Sequence, residues 1–388
     1  MRSAVSVALF GWLAAGCFLQ GFDREDGGGA GATGATGGGG AAAAGGGGAG
    51  GDSQCDTATY PDAPGATSGD ELLDLAFALR RVDLGEEDID NRPGFDLDRV
   101  CSCCTDCVAE QDHCQPPSYA DAAKLCDAAA DGSSHNQGRD NALAQVIESF
   151  GDLGDQIPAG TASMNDRIAN GQWSMLIRVS GYNGLPDDDN VTVSLFTTDG
   201  LGSAPQWTGV EPWPVRTDSL LPTYDTFTNP LDAATVLNAT AYVSAGRLVG
   251  VFDGSGGDQN RLSLSLEGGF SLSLTYAIFS ADLVKEGSYW ALEEGTLGGL
   301  WALAEVFETL SAIRPPLCTD DFVYGIFKDR LCEYVDGRAG PPGPGLCDSI
   351  SFGLWFEADA ITFGPLEDPS GDTPGCPPAT DPASDSCP

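Results

Sequence analysis

The sequence predicts a mainly β protein with a helical, cysteine-rich N-terminal portion, its body a disulfide-rich antiparallel β-sandwich of jelly-roll type. Three observations predict it. Beyond residue 172, apolar residues recur at every second position in several segments, the period of strands with one buried face. Between residues 52 and 171 they recur at helical spacing among cysteine-rich loops. The chain also carries 13 cysteines, a number that suits a framework of bridges in an exported protein.

The first element, residues 1–16, reads as a signal peptide. Arg2 supplies a positive charge, and the run Ala4 to Ala15 is apolar but too short to span ~30 Å of hydrocarbon as a helix. Leu13-Ala14-Ala15-Gly16-Cys17 then resembles the lipobox of bacterial lipoproteins. That resemblance implies lipidation of the Cys17 thiol, cleavage before it and acylation of the new amino terminus. Acyl chains on one residue anchor stably, at about 0.8 kcal/mol per buried CH2. Phe18 stands where an aspartate would resemble an inner-membrane retention signal, so the expected localisation is the bacterial outer membrane, lipid-anchored, facing the periplasm or the surface.

Residues 17–51 read as the lipidated cysteine and a flexible tether. Gly27 to Gly51 contains only Gly, Ala and Thr, which cannot bury a core against its own chain entropy. Its root-mean-square reach is roughly 25–30 Å.

In the helical region, 52–171, a helix is expected from Glu71 to Leu79, with a buried strand as the alternative for its second half. Ser118 can cap a helix over Tyr119 to Ala130, Asn141 to Phe150 carries Leu143, Val146, Ile147 and Phe150 at helical spacing, and Ser163 opens a short helix ending at Asn170-Gly171. From 172 to 364 the sandwich is expected. Its strands show in Trp173, Met175, Ile177 and Val179, in Val191, Val193 and Leu195, in Leu262, Leu264 and Leu266, and in Phe270 to Ile278. Tyr182-Asn183-Gly184 and Asp253 to Gly257 supply turns, and Ala241–Ser244 and Arg247–Phe252 pair across Ala245-Gly246. Two helices, Leu300 to Ile313 and Asp320 to Val335, precede a late strand over Ile350 to Phe363 that rejoins the sandwich. The tail, 365–388, is rich in Pro and Asp, with Cys376 and Cys387 to hold it down.

The charge balance narrows the partners. With 57 acidic residues against 18 basic, the net charge is −39, which repels nucleic acid and anionic lipid headgroups. It suits cations, a saline habitat or plain solubility. Once Cys17 is assigned to lipid, twelve cysteines remain. Cys55, Cys101, Cys103, Cys104, Cys107, Cys114 and Cys126 make a set of seven; Cys318, Cys332, Cys347, Cys376 and Cys387 make a set of five. Both sets are odd, so full pairing requires a bridge between them, and the two ends of the domain must then meet. A zinc site at Cys101 to Cys107 is the rival reading, disfavoured by an oxidising compartment.

Four short motifs carry a second resemblance: Gly94-Phe95-Asp96-Leu97-Asp98, Gly138-Arg139-Asp140-Asn141, Asn165-Asp166-Arg167-Ile168-Ala169-Asn170-Gly171, and Tyr182-Asn183-Gly184-Leu185-Pro186-Asp187-Asp188. They resemble uncharacterised predicted lipoproteins of myxobacteria and their relatives. The resemblance implies an exported bacterial setting and carries no activity across.

Candidate chemistry rests on carboxylates. Asp88, Asp90, Asp96 and Asp98, then Asp140 and Asn141, then Asp187 and Asp188, are oxygen-rich clusters of the kind calcium binds, although the full D-x-[DN]-x-[DN]-G loop is absent. The bland reading is that they cap helices and turns. Trp355, Glu357 and Asp359 lie at i, i+2 and i+4, which on a strand share one face, and a carboxylate pair beside an aromatic platform is what glycoside hydrolysis uses. Glu357-Ala358-Asp359 also resembles the start of the E-x-D-x-x-E motif of laminarinase-type glucanases, with Thr362 where the third carboxylate belongs. The two histidines, His113 and His135, have no G-x-S-x-G partner motif. The expected function is a non-catalytic surface binding or structural module that meets extracellular glycan or an envelope protein. The alternative is a carbohydrate-active hydrolase using Glu357 and Asp359.

Overall fold

The computed structural model describes residues 59–67, 69, 72–86, 92–97, 114–120, 139–150, 160–254, 261–265, 271–312, 316–339, 345–369 and 375–388. The chain divides into two units, Met1–Gly51 and Asp52–Pro388, and every described residue belongs to the second. Cys17, the Gly/Ala-rich tether, Cys55, Cys101, Cys103, Cys104, Cys107, Cys126, His113 and His135 lie outside the described residues, as does most of the helix expected over Tyr119 to Ala130.

The β body is a closed barrel, not a jelly-roll sandwich. Its strands are β1 (Leu73–Asp83), β2 (Ser174–Tyr182), β3 (Asp188–Thr198), β5 (Val236–Ser244), β6 (Arg247–Phe252), β8 (Ser271–Glu286), β9 (Tyr289–Ala302) and β10 (Ser349–Ala360). In that order each pairs antiparallel with the next, and β10 returns to pair with β1. This is an eight-stranded up-and-down meander, in which closure removes the exposed edges that two stacked sheets would keep. Alternation reports that one face of each strand is buried; a sandwich and a barrel bury the same face, so the pattern alone does not separate them.

Eight strands leave an interior just wide enough for side chains to fill. Phe77 and Leu79 of β1, Ile177 and Val179 of β2, Val193 and Leu195 of β3, and Phe352, Leu354 and Phe356 of β10 all belong to one buried cluster. Phe356 stacks on Phe279 with centroids 5.2 Å apart. Its ring lies against Gly295 of the neighbouring strand, where a Cβ would come within 2.4 Å, so the glycine makes room for the aromatic.

Strand β1 starts at Leu73 in the segment Glu71 to Leu79, so the strand given as the alternative for its second half is what forms, and it takes in the described part of the first half in place of the expected helix. Leu75, Phe77 and Leu79 face the interior, while Ala76 and Ala78 face a second apolar cluster outside the barrel. That outer cluster is roofed by β4 (Pro212–Arg216) and β11 (Thr362–Glu367), a parallel pair carrying buried Trp213 and Val215. The late strand therefore divides at Ile361: β10 completes the barrel and β11 leaves it. Strands β6 and β7 (Leu262–Ser265) pair in tandem along one edge of β8, and Ser255 to Gly257 of the expected turn between them lie outside the described residues. The two-residue turn Ala245-Gly246 does form the expected β5–β6 hairpin, with φ of 51° and 87°, the conformation that two-residue hairpins favour.

Among the described residues four helices gather on the barrel end where β1 finishes and β2 starts: α1 (Ala142–Glu148), α2 (Thr161–Ala169), α3 (Leu303–Ala312) and α4 (Phe322–Glu333). Their apolar faces (Val146, Ile168, Phe307, Leu331) join the core cluster. Strand β9 continues to Ala302, so α3 starts three residues later than the expected Leu300. At the opposite end Tyr182 meets Trp290 edge to face, with centroids 5.4 Å apart. Burial, with Asp188 nearby, pushes the Tyr182 hydroxyl up to about 12.

Among the described residues three disulfides brace the helical end. Cys114–Cys347 joins the two sequence sets across 233 residues, and Cys318–Cys376 and Cys332–Cys387 pin the C-terminal tail. Among the described residues no helix is long and apolar enough to cross a membrane.

Candidate functional site

The outward face of β10 carries a group of charged side chains with an aromatic among them. Because Ile350, Phe352, Leu354, Phe356 and Ala358 point inward, Trp355, Glu357 and Asp359 share the outer face, as their spacing predicts. Glu357 is flanked by an irregularity on each side. On β1 the register shifts between Leu79 and Arg81, so Arg80 and Arg81 together oppose it. On β9 the partners pass from Gly295 to Leu292 while β10 advances from Phe356 to Ala358, so Glu293 and Glu294 together oppose it from the other side. Such bulges insert one extra residue and re-aim side chains.

The electrostatics follow from that placement. Arg80 reaches Glu357 Oε2 at 2.8 Å and Asp359 Oδ2 at 3.3 Å. The Arg81 guanidinium lies over the Trp355 ring, 5.5 Å from its centroid, and Trp355 Nε1 donates to Glu294 Oε2 at 3.3 Å. Glu294 holds φ of 46°, a left-handed backbone costly for a residue with a side chain, of order 1–3 kcal/mol. Asp359 is held above its ordinary range: burial pushes it up, Arg80 pulls it down, and Glu286 and Glu357 add to the upward push. For Arg80, burial acts downward, but the Glu357 hydrogen bond and the charges of Asp359, Glu357 and Glu286 outweigh it, and the net shift is upward.

Arg80, Arg81, Glu293 and Glu294 are the residues that sequence reasoning missed. The signal for them is the pair of doublets, Arg80-Arg81 and Glu293-Glu294, each a break in period-two alternation where two neighbouring polar residues replace one.

Four of the candidate calcium residues, Asp140, Asn141, Asp187 and Asp188, make hydrogen bonds within the fold. Asp188 accepts from the backbone N–H of Asn183 at 2.7 Å and of Asn190 at 3.2 Å, and Asp187 accepts from Ala245 N–H at 2.8 Å, which together fix the β2–β3 turn. Asp140 accepts from Leu97 N–H at 2.7 Å, and Asn141 caps α1 by accepting from Ala144 N–H at 3.3 Å. Asp96 is half-buried in the segment that leads from Phe95 to Leu97, and Asp88, Asp90 and Asp98 lie outside the described residues. Among the described residues, no three or more His, Cys, Asp or Glu side chains gather as a metal site.

The four motifs that carry the lipoprotein resemblance are thereby given structural work. Phe95 and Leu97 pack on Ile278 and Leu300 at the outside of β8 and β9. Asn165 both donates to Val82 O at 2.8 Å and accepts from Val82 N at 2.9 Å, tying α2 to the end of β1.

Fold and site together define an acidic, disulfide-braced up-and-down β-barrel with a bulge-flanked charged face. The chain matches no known protein family, no curated protein and no solved structure.

Proposed function

We propose that this protein is an outer-membrane lipoprotein, anchored through Cys17, whose barrel binds extracellular glycan without turning it over. The binding surface is the outer face of β10, with Trp355 at its centre. One observation carries the reading: two bulges on opposite sides of Glu357 turn Arg80, Arg81, Glu293 and Glu294 toward the face that holds Trp355. Guanidinium donors and carboxylate acceptors beside an indole suit a polyhydroxylated ligand, whose hydroxyls need both partners and whose carbon faces pack on aromatic rings. A neighbouring envelope protein is the other class of partner expected for an anchored module.

Support for a non-catalytic role lies in Arg80, which engages both Glu357 and Asp359 and so favours the ionised form of the two groups that hydrolysis would need in different states. The hydrolase reading keeps one point in its favour, the upward shift of Asp359, the direction a general acid requires.

Glycan-array binding by the full chain tests the proposal. Binding lost in Trp355→Ala and unaccompanied by reducing-sugar release supports it. Sugar release by the native protein that disappears in Glu357→Gln would establish the hydrolase instead. Mass spectrometry showing Cys17 unmodified would overturn the anchoring.

A further inference from the structure

Helix α4 is apolar on two sides. Its inward face is Tyr324, Phe327 and Leu331, at i, i+3 and i+7, which packs on the core. An ordinary surface helix is polar on the other side. Here the outward side of the first turn and a half carries Phe322, Val323 and Ile326, exposed to 81%, 52% and 38%. Three large apolar side chains standing in water within five residues mark an interaction surface rather than scatter.

The charges around this patch decide what can cover it. Asp320, Asp321 and Asp329 are exposed beside it. The basic residues of α4 are engaged elsewhere: Lys328 reaches Asp385 at 2.6 Å and Arg330 reaches Glu333 at 2.8 Å. The rim is therefore acidic. A second copy would bring the same carboxylates against it, and an anionic membrane surface would be repelled in the same way.

We infer that α4 is a docking helix whose partner is a protein with an apolar groove rimmed by Lys and Arg. Phe322 and Ile326, one turn apart, are the anchors that enter the groove, with Val323 beside them, in the helix-in-groove mode of recognition. The acidic rim steers the approach and makes it salt-sensitive. The helix is pre-formed: Asp321 caps it by accepting from Val323 N–H at 2.9 Å, and Cys332–Cys387 ties its far end to the tail. Ordering therefore costs the association little. This surface lies on the helical end of the barrel and does not depend on the glycan-binding face.

The test is site-specific photo-cross-linking in native envelopes with a photoreactive residue at position 322, and at 289 as an exposed aromatic control, followed by reconstitution with the purified adduct partner. The expected result is a discrete adduct at 322 with a basic protein. Its affinity for the purified full chain falls at least about tenfold in Phe322→Ser/Ile326→Ser. Asp320→Asn/Asp329→Asn weakens binding less and flattens its dependence on NaCl. Unchanged melting of both variants separates lost docking from lost folding. An adduct that is a second copy of this chain or a lipid, an affinity indifferent to Phe322 and Ile326, or no adduct above the control at 289 would each overturn the inference.

Discussion

Asn141 and Gly353, 212 residues apart, hold each other through a reciprocal pair of hydrogen bonds: Asn141 Nδ2 donates to Gly353 O at 3.2 Å, and Asn141 Oδ1 accepts from Gly353 N at 3.1 Å. The same nitrogen lies 2.9 Å from both Leu84 O and Pro93 O, so its two hydrogens are shared among three carbonyls, and its residue caps α1. Asn141 is only 3% exposed, so water cannot replace these partners. Asn141→Ala should therefore lower unfolding free energy by about 2–4 kcal/mol, since it removes the buried hydrogen bonds that this amide makes to three carbonyls and to the Gly353 and Ala144 N–H groups. Urea denaturation measures it, and a loss below about 0.5 kcal/mol would show that the network relaxes freely.

Cys114 and Cys347 close the longest loop among the observed bridges, 233 residues. Their backbones are also joined directly, with Gln115 N–H donating to Gly345 O at 2.6 Å and Cys347 N–H to Gln115 O at 3.0 Å. The chain-entropy view places a loop of this length at the upper end of disulfide stabilisation, so Cys114→Ser/Cys347→Ser should cost about 3–5 kcal/mol under oxidising conditions. Differential unfolding of variant and native protein checks this; equal stabilities would mean that the non-covalent contacts alone fix the joint.

What the sequence discloses and what it hides divide along chain distance. The alternation in Trp173 to Val179 identifies β2 because side-chain direction on a strand depends only on neighbours. The helix that begins at Asn141 is legible because Leu143, Val146 and Ile147 recur at helical spacing, a pattern set by near neighbours alone. Closure is different. It depends on Phe77 lying beside Ala360 and Arg247 beside Asp282, pairings that no local pattern encodes. Strand β1 is hidden by good helix formers, Leu73, Ala76, Leu79 among them, which tertiary pairing overrides. For the candidate site, the shared face of Trp355, Glu357 and Asp359 follows from spacing. Arg80 and Glu294 arrive there only through bulges formed against a partner strand.

At the tail, Asp385 accepts from Lys328 Nζ at 2.6 Å and from Tyr324 Oη at 2.7 Å. Burial acts to raise its carboxyl, but Lys328, Tyr324 and the Ser386 N–H outweigh it, and the group sits below its ordinary range. A depressed folded-state value means that the stabilisation is present above the unfolded carboxylate value, about 3.9, and is lost as pH falls through the folded one. The hydrogen-exchange protection factors over residues 376–387, corrected at each pH for the intrinsic exchange rate, should therefore be steady from neutral to mildly acidic pH and fall in stronger acid. Asp385→Asn should show the faster exchange already at neutral pH, with a loss of no more than about 1 kcal/mol for so exposed a pair. Exchange in the variant that matches the native tail at neutral pH would assign the hold to the two disulfides alone.

The Arg80 pair behaves with the opposite sign at its second carboxylate. Asp359 is shifted upward chiefly by burial, so the folded protein takes up its proton more readily than the unfolded chain does. Its contribution to stability is then fully present below the unfolded value and lost as pH rises through the folded one, which makes ionised Asp359 a net cost at neutral pH despite Arg80. Asp359→Asn should therefore gain stability relative to the native protein, and the gain should grow as pH is raised from acid to neutral. Arg80→Met works the other way. It removes the one group that draws Asp359 downward, leaves Glu357 and Asp359 facing Glu286 unneutralised, and should cost about 0.5–1 kcal/mol at neutral pH, its partial exposure limiting the effect. Urea unfolding of both variants across that pH range separates the terms. If Asp359→Asn loses stability toward neutral pH, the ion pair outweighs burial, and the carboxylate is held by Arg80 rather than merely tolerated beside it.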